Sequence, residues 1–349
     1  MSMTSTSELF GGFITDHLNG IVRVPEAFAS MLNQSALRLM DSQMIIEDNF
    51  AERRELREPS VKQPLEEFEQ QFVIDQLIDK VKEEGLAPHF HELIGLFGSI
   101  MLSLSGTQEQ IDNVQKWVDQ GLFGHFLMTD AGGPTLAHWQ TSMEPNEQGF
   151  TLNVNKMWGI EAQDPGFLMI VTRQQGKPFP MTLLIDPERS AQLTPSAIGK
   201  PFLDGKLQLG NIKGTINAYQ SDMLAKGGLG AVNRFLTLCR PRLVKSLMHF
   251  LVYLEQQGTV QFEHQYREAR DYLIETCSAL IAHREFSMHS VDRVLAIKFA
   301  SNELLASLVA NGYVSDIDVQ RDLLAFTKME GSSYRCFFEI YSKQKGSRR

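Results

Sequence analysis

Apolar residues recur every three or four positions from Ser7 to about Leu122, as in Phe68, Phe72, Leu77, Ile78 and Val81, which predicts amphipathic helices through the first third of the chain. Gly106-Thr107-Gln108-Glu109-Gln110 opens one of them. Thr107 and Gln110 have the spacing of a reciprocal capping box and need no ligand to explain them. Near Phe123 the pattern changes: glycine, proline and threonine accumulate, and short runs at 149–154 and 167–171 read as strands. Residues 180–187 read as a third strand closed by a proline turn, and 206–212 as a weaker fourth. After Ser221 helical spacing returns, with Val244, Leu247, Met248, Leu251 and Leu254 on one face, then 280–286, 294–309 and a last helix near Asp318–Phe326. The pattern predicts an α+β, mostly helical chain in three parts. These are an N-terminal helical domain over 1–122, a central β-domain over 123–218 and a C-terminal helical bundle over 219–349.

Composition narrows the function classes. A chain of 349 residues with 43% hydrophobic and 21% charged residues is globular and long enough for more than one core. Its net charge of -9 argues against a nucleic-acid partner. No apolar run approaches the roughly 18 residues of a membrane span, and the N-terminus lacks the basic start and apolar core of an export signal. Cys239, Cys277 and Cys336 lie far apart with no C-x-x-C spacing, so neither a disulfide framework nor a zinc site is indicated and a reducing, cytoplasmic compartment is the default. His89 with His91, and His283 with His289, are the closest histidine groupings; neither has a third partner, so no metal site is expected. His89-Phe90-His91 reads as a surface turn after Pro88, and Arg53–Ser60 as a solvated face or linker. The common hydrolase, P-loop and Rossmann signatures are absent.

Five segments remain, in a fixed order: Gly106–Gln110; Phe126-Leu127-Met128-Thr129-Asp130-Ala131-Gly132-Gly133; Gln140–Met143 continuing through Gly149-Phe150-Thr151-Leu152-Asn153-Val154-Asn155-Lys156-Met157-Trp158; Phe235–Pro241; and Arg321-Asp322 followed by Glu330-Gly331-Ser332-Ser333. Together they resemble the acyl-CoA dehydrogenase superfamily, in which G-T-x-E-Q, F-x-L-T-E-P-G-x-G, Q-T-x-A with G-Y-x-L-N-G-x-K-x-W, R-P, and R-D with E-G-T-S occur in this order. Glu330 follows Arg321 by nine residues, the family's interval. The resemblance runs from about Leu86 to Tyr341 and is weakest between Gln257 and Phe286.

The resemblance implies a β-domain between two helical domains and an FAD-dependent dehydrogenase of acyl thioesters, carried on coenzyme A or an acyl carrier protein. That chemistry needs a base for the acidified α-proton and a hydride acceptor for the β-carbon, the second supplied by the flavin. Glu330 takes the catalytic glutamate's place, and apolar surroundings there would raise its basicity. Thr129 takes the place of the threonine that hydrogen-bonds the pyrimidine end of the flavin ring, with backbone amides around Met128 to Gly132 facing the ring carbonyls. Trp158 takes the place of the tryptophan flanking the ring, and Ser332 that of a small hydroxyl residue near the cofactor. Thr135 stands for the serine that contacts the thioester arm. Arg240 either meets the carrier's phosphates or makes an internal ion pair. A homodimer or homotetramer, with the cofactor at a subunit boundary, and a separate electron-transfer acceptor are also implied.

The chain departs from the family in a shortened N-terminal helical region before Gly106 and at three motif positions. Gly159-Ile160-Glu161 replaces I-T-N, whose hydroxyl faces the flavin; Gln257-Gly258-Thr259-Val260-Gln261 stands where R-x-x-F-G supplies an arginine for the pyrophosphate; and Ala310-Asn311-Gly312-Tyr313 shortens a glycine-rich turn. Two rival readings therefore stay open: a flavin monooxygenase or oxidase of the same fold, and a cofactor-poor relative serving as a partner or binding subunit.

Overall fold

In a computed structural model, residues 13–19, 22–41, 63–65, 67–133, 136–160 and 166–347 are described. Thr135, Glu161 and the Arg53–Ser60 stretch lie outside them. In chain order the main elements are α1 (Phe13–Leu18), α2 (Glu26–Asp41), β1 (Gln63–Pro64), α3 (Glu69–Glu84), α4 (Phe90–Ser105), α5 (Gln108–Asp119), β2 (Gly124–Leu127), β3 (Ser142–Asn146), β4 (Gly149–Ile160), β5 (Phe167–Gln174), β6 (Pro180–Ile185), α6 (Pro187–Ser190), β7 (Thr194–Ala197) and β8 (Leu209–Ala218). They continue as α7 (Leu229–Gln256), α8 (His264–Ala282), β9 (Glu285–Phe286), α9 (Met288–Ala310), α10 (Ile317–Phe326) and α11 (Ser333–Ser347). The chain divides into two compact units, one of residues 66–80 and 86–235, the other of residues 1–65, 81–85 and 236–349.

The first unit is built on a seven-stranded sheet ordered β2-β5-β3-β4-β8-β7, with β6 also on β5. Strand β5 is buried from Phe167 to Thr172, as its unbroken apolar run requires of a strand covered on both faces. Along β4 the alternation places Leu152, Val154 and Lys156 inward. Leu152 and Val154 join Leu127, Met143, Leu168, Ile170, Leu183, Ile185, Ile212 and Ile216 in the sheet's core. Strand β7 escaped the sequence pattern because Thr-Pro-Ser-Ala has no apolar alternation; it lies at the sheet edge, where Pro195 costs no ladder hydrogen bond. The capping box of α5 is complete, and Gln110 also donates to the Ser221 carbonyl at 2.8 Å. The His89–His91 run is not a surface turn: it leads into α4, with His89 8% and Phe90 1% exposed.

In the second unit α9 is packed by α1, α2, α8, α10 and α11. Its buried residues run Val294, Leu295, Ala296, Ile297, Phe299, Ala300, Leu304, Leu305 and Leu308, an all-round apolar surface that suits a central helix. Helices α8 and α11 were not separated by the sequence pattern. The 280–286 stretch ends α8 and passes into β9, which pairs with β1. No described helix is long and apolar enough to cross a membrane.

Candidate active site

The candidate residues fall in both units, and each group has its own geometry. In the sheet unit, the ladder between β4 and β8 slips between Lys156 and Gly159, so that Met157 and Trp158 form a bulge. Trp158 sits there with φ at 60° and 54% of its surface exposed. A bulky residue in the left-handed region is strained by roughly 1–2 kcal/mol and marks a place worth explaining. The Met157 amide donates to the Thr129 carbonyl at 3.0 Å, which sets Thr129 beside the bulge. Thr129 is exposed, and its own amide and hydroxyl have no protein partner among the described residues.

A polar anchor that sequence reasoning did not assign holds this loop. Asp130 is 5% exposed and accepts from the amides of Gly132 (2.8 Å), Gln140 (2.7 Å) and Thr141 (3.0 Å). Burial works against its charge, but the Thr141 hydroxyl and these three amides outweigh burial and hold the carboxyl below its ordinary range. Lys156, 1% exposed, reaches Asp130 at 3.4 Å, donates to the Met128 carbonyl at 3.0 Å and lies 4.4 Å over the Trp139 ring. Burial lowers its pKa to about 8 despite the Asp130 charge. The signal was present in Leu152-Asn153-Val154-Asn155-Lys156, where a lysine occupies the third inward position of an alternating strand.

Gly132 belongs to the same anchor. A Cβ there would fall 1.8 Å from the His138 carbonyl oxygen, so the loop closes only with glycine. Of the amides expected to face a flavin, those of Ala131 and Gly132 are spent internally, on the Asn155 carbonyl and the Asp130 carboxylate. The Met128 carbonyl is likewise taken by Lys156.

In the helical unit, Glu330 lies in the turn between α10 and α11, with φ at 55°. It is half-buried, and its carboxylate has no hydrogen-bond or ion-pair partner among the described residues. Burial pushes this carboxyl above the usual carboxylate range, while the Arg240 and Lys298 charges pull it back in part. Arg240, 7% exposed, donates from Nε to the Glu330 carbonyl at 2.9 Å. That is an internal contact with the backbone. The Ser332 hydroxyl accepts from the Arg335 amide at 3.3 Å, at the start of α11.

Four described non-glycine residues have left-handed φ: Trp158, Leu203, Asp204 and Glu330. Two of them are residues that the sequence motifs single out. Such strain persists only where the surroundings over-determine it, and it concentrates at functional sites. The strained indole beside a free threonine suits a flat heteroaromatic ring with polar edges, so the ring end of a flavin fits the residues present. At Gln257–Gln261, the place of the pyrophosphate arginine, no cation stands.

The arrangement defines an acyl-CoA dehydrogenase-like fold, helices with a central sheet. No protein-family model matches the sequence, and no curated protein matches it. Solved structures do. A glutaryl-CoA dehydrogenase from Mycobacterium smegmatis in complex with FADH2 superposes with a TM-score of 0.57 at 12% identity, covering 80% of this chain and 95% of that one. A butyryl-CoA dehydrogenase from Megasphaera elsdenii gives 0.59 at 13%, covering 81% and 100%. The prolyl acyl carrier protein oxidase AnaB gives 0.54 at 12%, covering 92% and 99%. At these identities the likeness is one of fold.

Proposed function

We propose that the chain is a flavin-dependent oxidoreductase that removes hydrogen from two adjacent carbons of an acyl thioester, on coenzyme A or an acyl carrier protein. The observation that carries this reading is Glu330, an unpaired, half-buried carboxylate of raised pKa on a left-handed backbone, at the position where the sequence resemblance puts the base. FAD, when bound, supplies the acceptor for the β-hydride. Glu330 takes the α-proton. Its raised pKa makes it a stronger base than an exposed glutamate, and the two cations nearby act against burial in favour of the ionised form. Thr129 offers an amide and a hydroxyl to the polar edge of the ring, and Trp158 offers its exposed face. Ser332 caps α11 and so helps fix the segment that follows Glu330. Support also comes from the shared fold, whose solved examples include a glutaryl-CoA dehydrogenase with FADH2 and a prolyl acyl carrier protein oxidase. The working form in this reading is a homo-oligomer that passes its electrons to a separate acceptor.

The test is dye-linked oxidation of a panel of acyl thioesters by FAD-reconstituted protein, wild type against Glu330→Gln. The variant is expected to keep its flavin and lose roughly 10²–10⁴-fold in rate, the usual contribution of a general base. A full rate in the variant would remove Glu330 from the mechanism. The cation-free Gln257–Gln261 stretch favours a second reading, a partner subunit without cofactor. Absence of flavin binding at saturating FAD selects it.

A further inference from the structure

We propose that Lys298 and Asn302 are positioning residues that, with Arg240, fix the Glu330 turn in its left-handed conformation; this deepens the reading of Glu330 as the base and rests on it. Lys298 sits one turn before Asn302 on α9, and both are 0% exposed. The Lys298 ammonium donates to the Phe326 carbonyl at 2.9 Å and to Asn302 Oδ1 at 2.6 Å. An ammonium can only donate, so it fixes which end of the Asn302 amide is oxygen. The amide nitrogen is thereby aimed the other way, and it donates to the Gly331 carbonyl at 3.0 Å. Arg240 holds the preceding carbonyl, that of Glu330, at 2.9 Å.

Three side chains thus grip the carbonyls of Phe326, Glu330 and Gly331. Gly331 takes its φ of 123° without strain, but Glu330 at 55° is in a conformation that an unheld non-glycine residue would leave. Phe326 ends α10, where a carbonyl that otherwise takes the long bond from the Met329 amide (3.3 Å) welcomes a cation. A fully buried ammonium is nevertheless costly unless matched by charge. Burial pulls its pKa down to about 8; of the charged side chains around it, the Glu330 carboxylate favours the ammonium and the Arg240 guanidinium opposes it. The lysine is therefore placed both to hold the turn and to sit in the field of its carboxylate.

Cys336 reports on the turn. A Cβ at Gly331 would come within 2.9 Å of the Cys336 sulfur, so any loosening there uncovers this thiol first. Cys277, equally buried at 0% exposure, lies in α8 and serves as the control. Asn302→Asp keeps the acceptor for Lys298 but cannot donate to Gly331, and Lys298→Met removes the ammonium at similar length. The experiment reads native-state labelling of each cysteine by a maleimide with mass spectrometry, and thioester turnover of the same FAD-reconstituted samples. Expected is an increase of about tenfold or more in Cys336 labelling in both variants with Cys277 unchanged, as local opening of one segment predicts. Alongside it, kcat falls while KM holds, because the base is displaced and the substrate site is not. The proposal is overturned if Cys336 stays as protected as in the wild type, if Cys277 and Cys336 open together, or if Cys336 opens with kcat unchanged. Should the wild type itself lack thioester turnover, the reading of Glu330 as base fails, and the labelling arm alone decides whether Lys298 and Asn302 hold the turn.

Discussion

Changing Asp130 to asparagine tests whether a buried charge, and not strand pairing alone, holds the loop that presents Thr129. The two partners of the Asp130–Lys156 pair are unequally served. Besides the lysine, Asp130 has three amides and the Thr141 hydroxyl, and its pKa falls below the ordinary range; besides the carboxylate, Lys156 has one carbonyl, and its pKa falls to about 8 because burial dominates. The carboxylate is therefore the anchor, and the ammonium is tolerated because the carboxylate is there. Asparagine keeps an oxygen for Gly132 and Gln140 but turns an NH₂ towards the Thr141 amide, which leaves a buried donor unsatisfied at about 1–3 kcal/mol. It also strands the ammonium, and removing one partner of a buried pair costs about 3–5 kcal/mol in all. We expect about 4 kcal/mol for Asp130→Asn. Lys156→Met alone should cost only about 1 kcal/mol, since relief of the burial penalty offsets much of the lost attraction. In the double variant methionine removes the stranded ammonium and should regain about 2 kcal/mol. All three tryptophans, at 117, 139 and 158, lie in the sheet unit, so urea unfolding followed by tryptophan fluorescence reads this unit alone. A cost below about 1 kcal/mol for Asp130→Asn, or no recovery in the double variant, would refute the reasoning.

Trp158→Gly should leave stability within about 0.5 kcal/mol of the wild type, because release from a left-handed φ offsets the flexibility of glycine, yet it should weaken flavin binding measured by absorbance titration. Glycine that destabilises the sheet unit by more than about 2 kcal/mol would mean that the indole is a packing residue. His125 is 3% exposed with both ring nitrogens unpartnered among the described residues, and burial, with His91 nearby, lowers its pKa from 6.5 to about 4. The unfolded chain then binds the proton more tightly than the native one, so stability is lost as pH falls from 6.5 through 4, by about 3 kcal/mol. His125→Phe should flatten that loss in melts compared at pH 7 and pH 4, and an unchanged slope would clear His125 of the effect.

What was legible in the sequence was periodic. The alternation of β4, the apolar run of β5, the capping box of α5 and the long helices all follow from local spacing. What was missed depends on distant contacts. Asp130 and Lys156 are 26 residues apart; the strand alternation gives the lysine's inward face but not the carboxylate that meets it there. Lys298 reads as a surface residue by type, although the apolar residues on every side of it in α9 were a usable signal that it is buried. Exposure of Trp158 and the backbone strain at Glu330 have no sequence signature at all, because any residue can be forced into a left-handed φ by its neighbours.

The departures from the family pattern then bear on affinity more than on chemistry. In the proposed flavin site, the absence of an arginine at Gln257–Gln261 removes a charge-assisted hydrogen bond of about 1.5–3 kcal/mol, and the absence of a hydroxyl at Gly159-Ile160 removes about 1 kcal/mol more. Together they amount to roughly 10²–10³-fold in affinity. Both losses leave Thr129 and Trp158, the ring-facing candidates, in place. The protein should therefore purify with less than one FAD and take up more on titration, and it should discriminate poorly between FAD and FMN, within about tenfold, because the part of FAD that FMN lacks is the part no longer gripped. Fluorescence-quenching titrations with the two flavins separate the cases. Discrimination above about 10³-fold in favour of FAD would show that other groups of this chain hold the adenylate end and that the cation-free stretch is irrelevant. Binding of neither flavin would leave Glu330 a strained carboxylate with no hydride acceptor to serve, which is the partner-subunit reading.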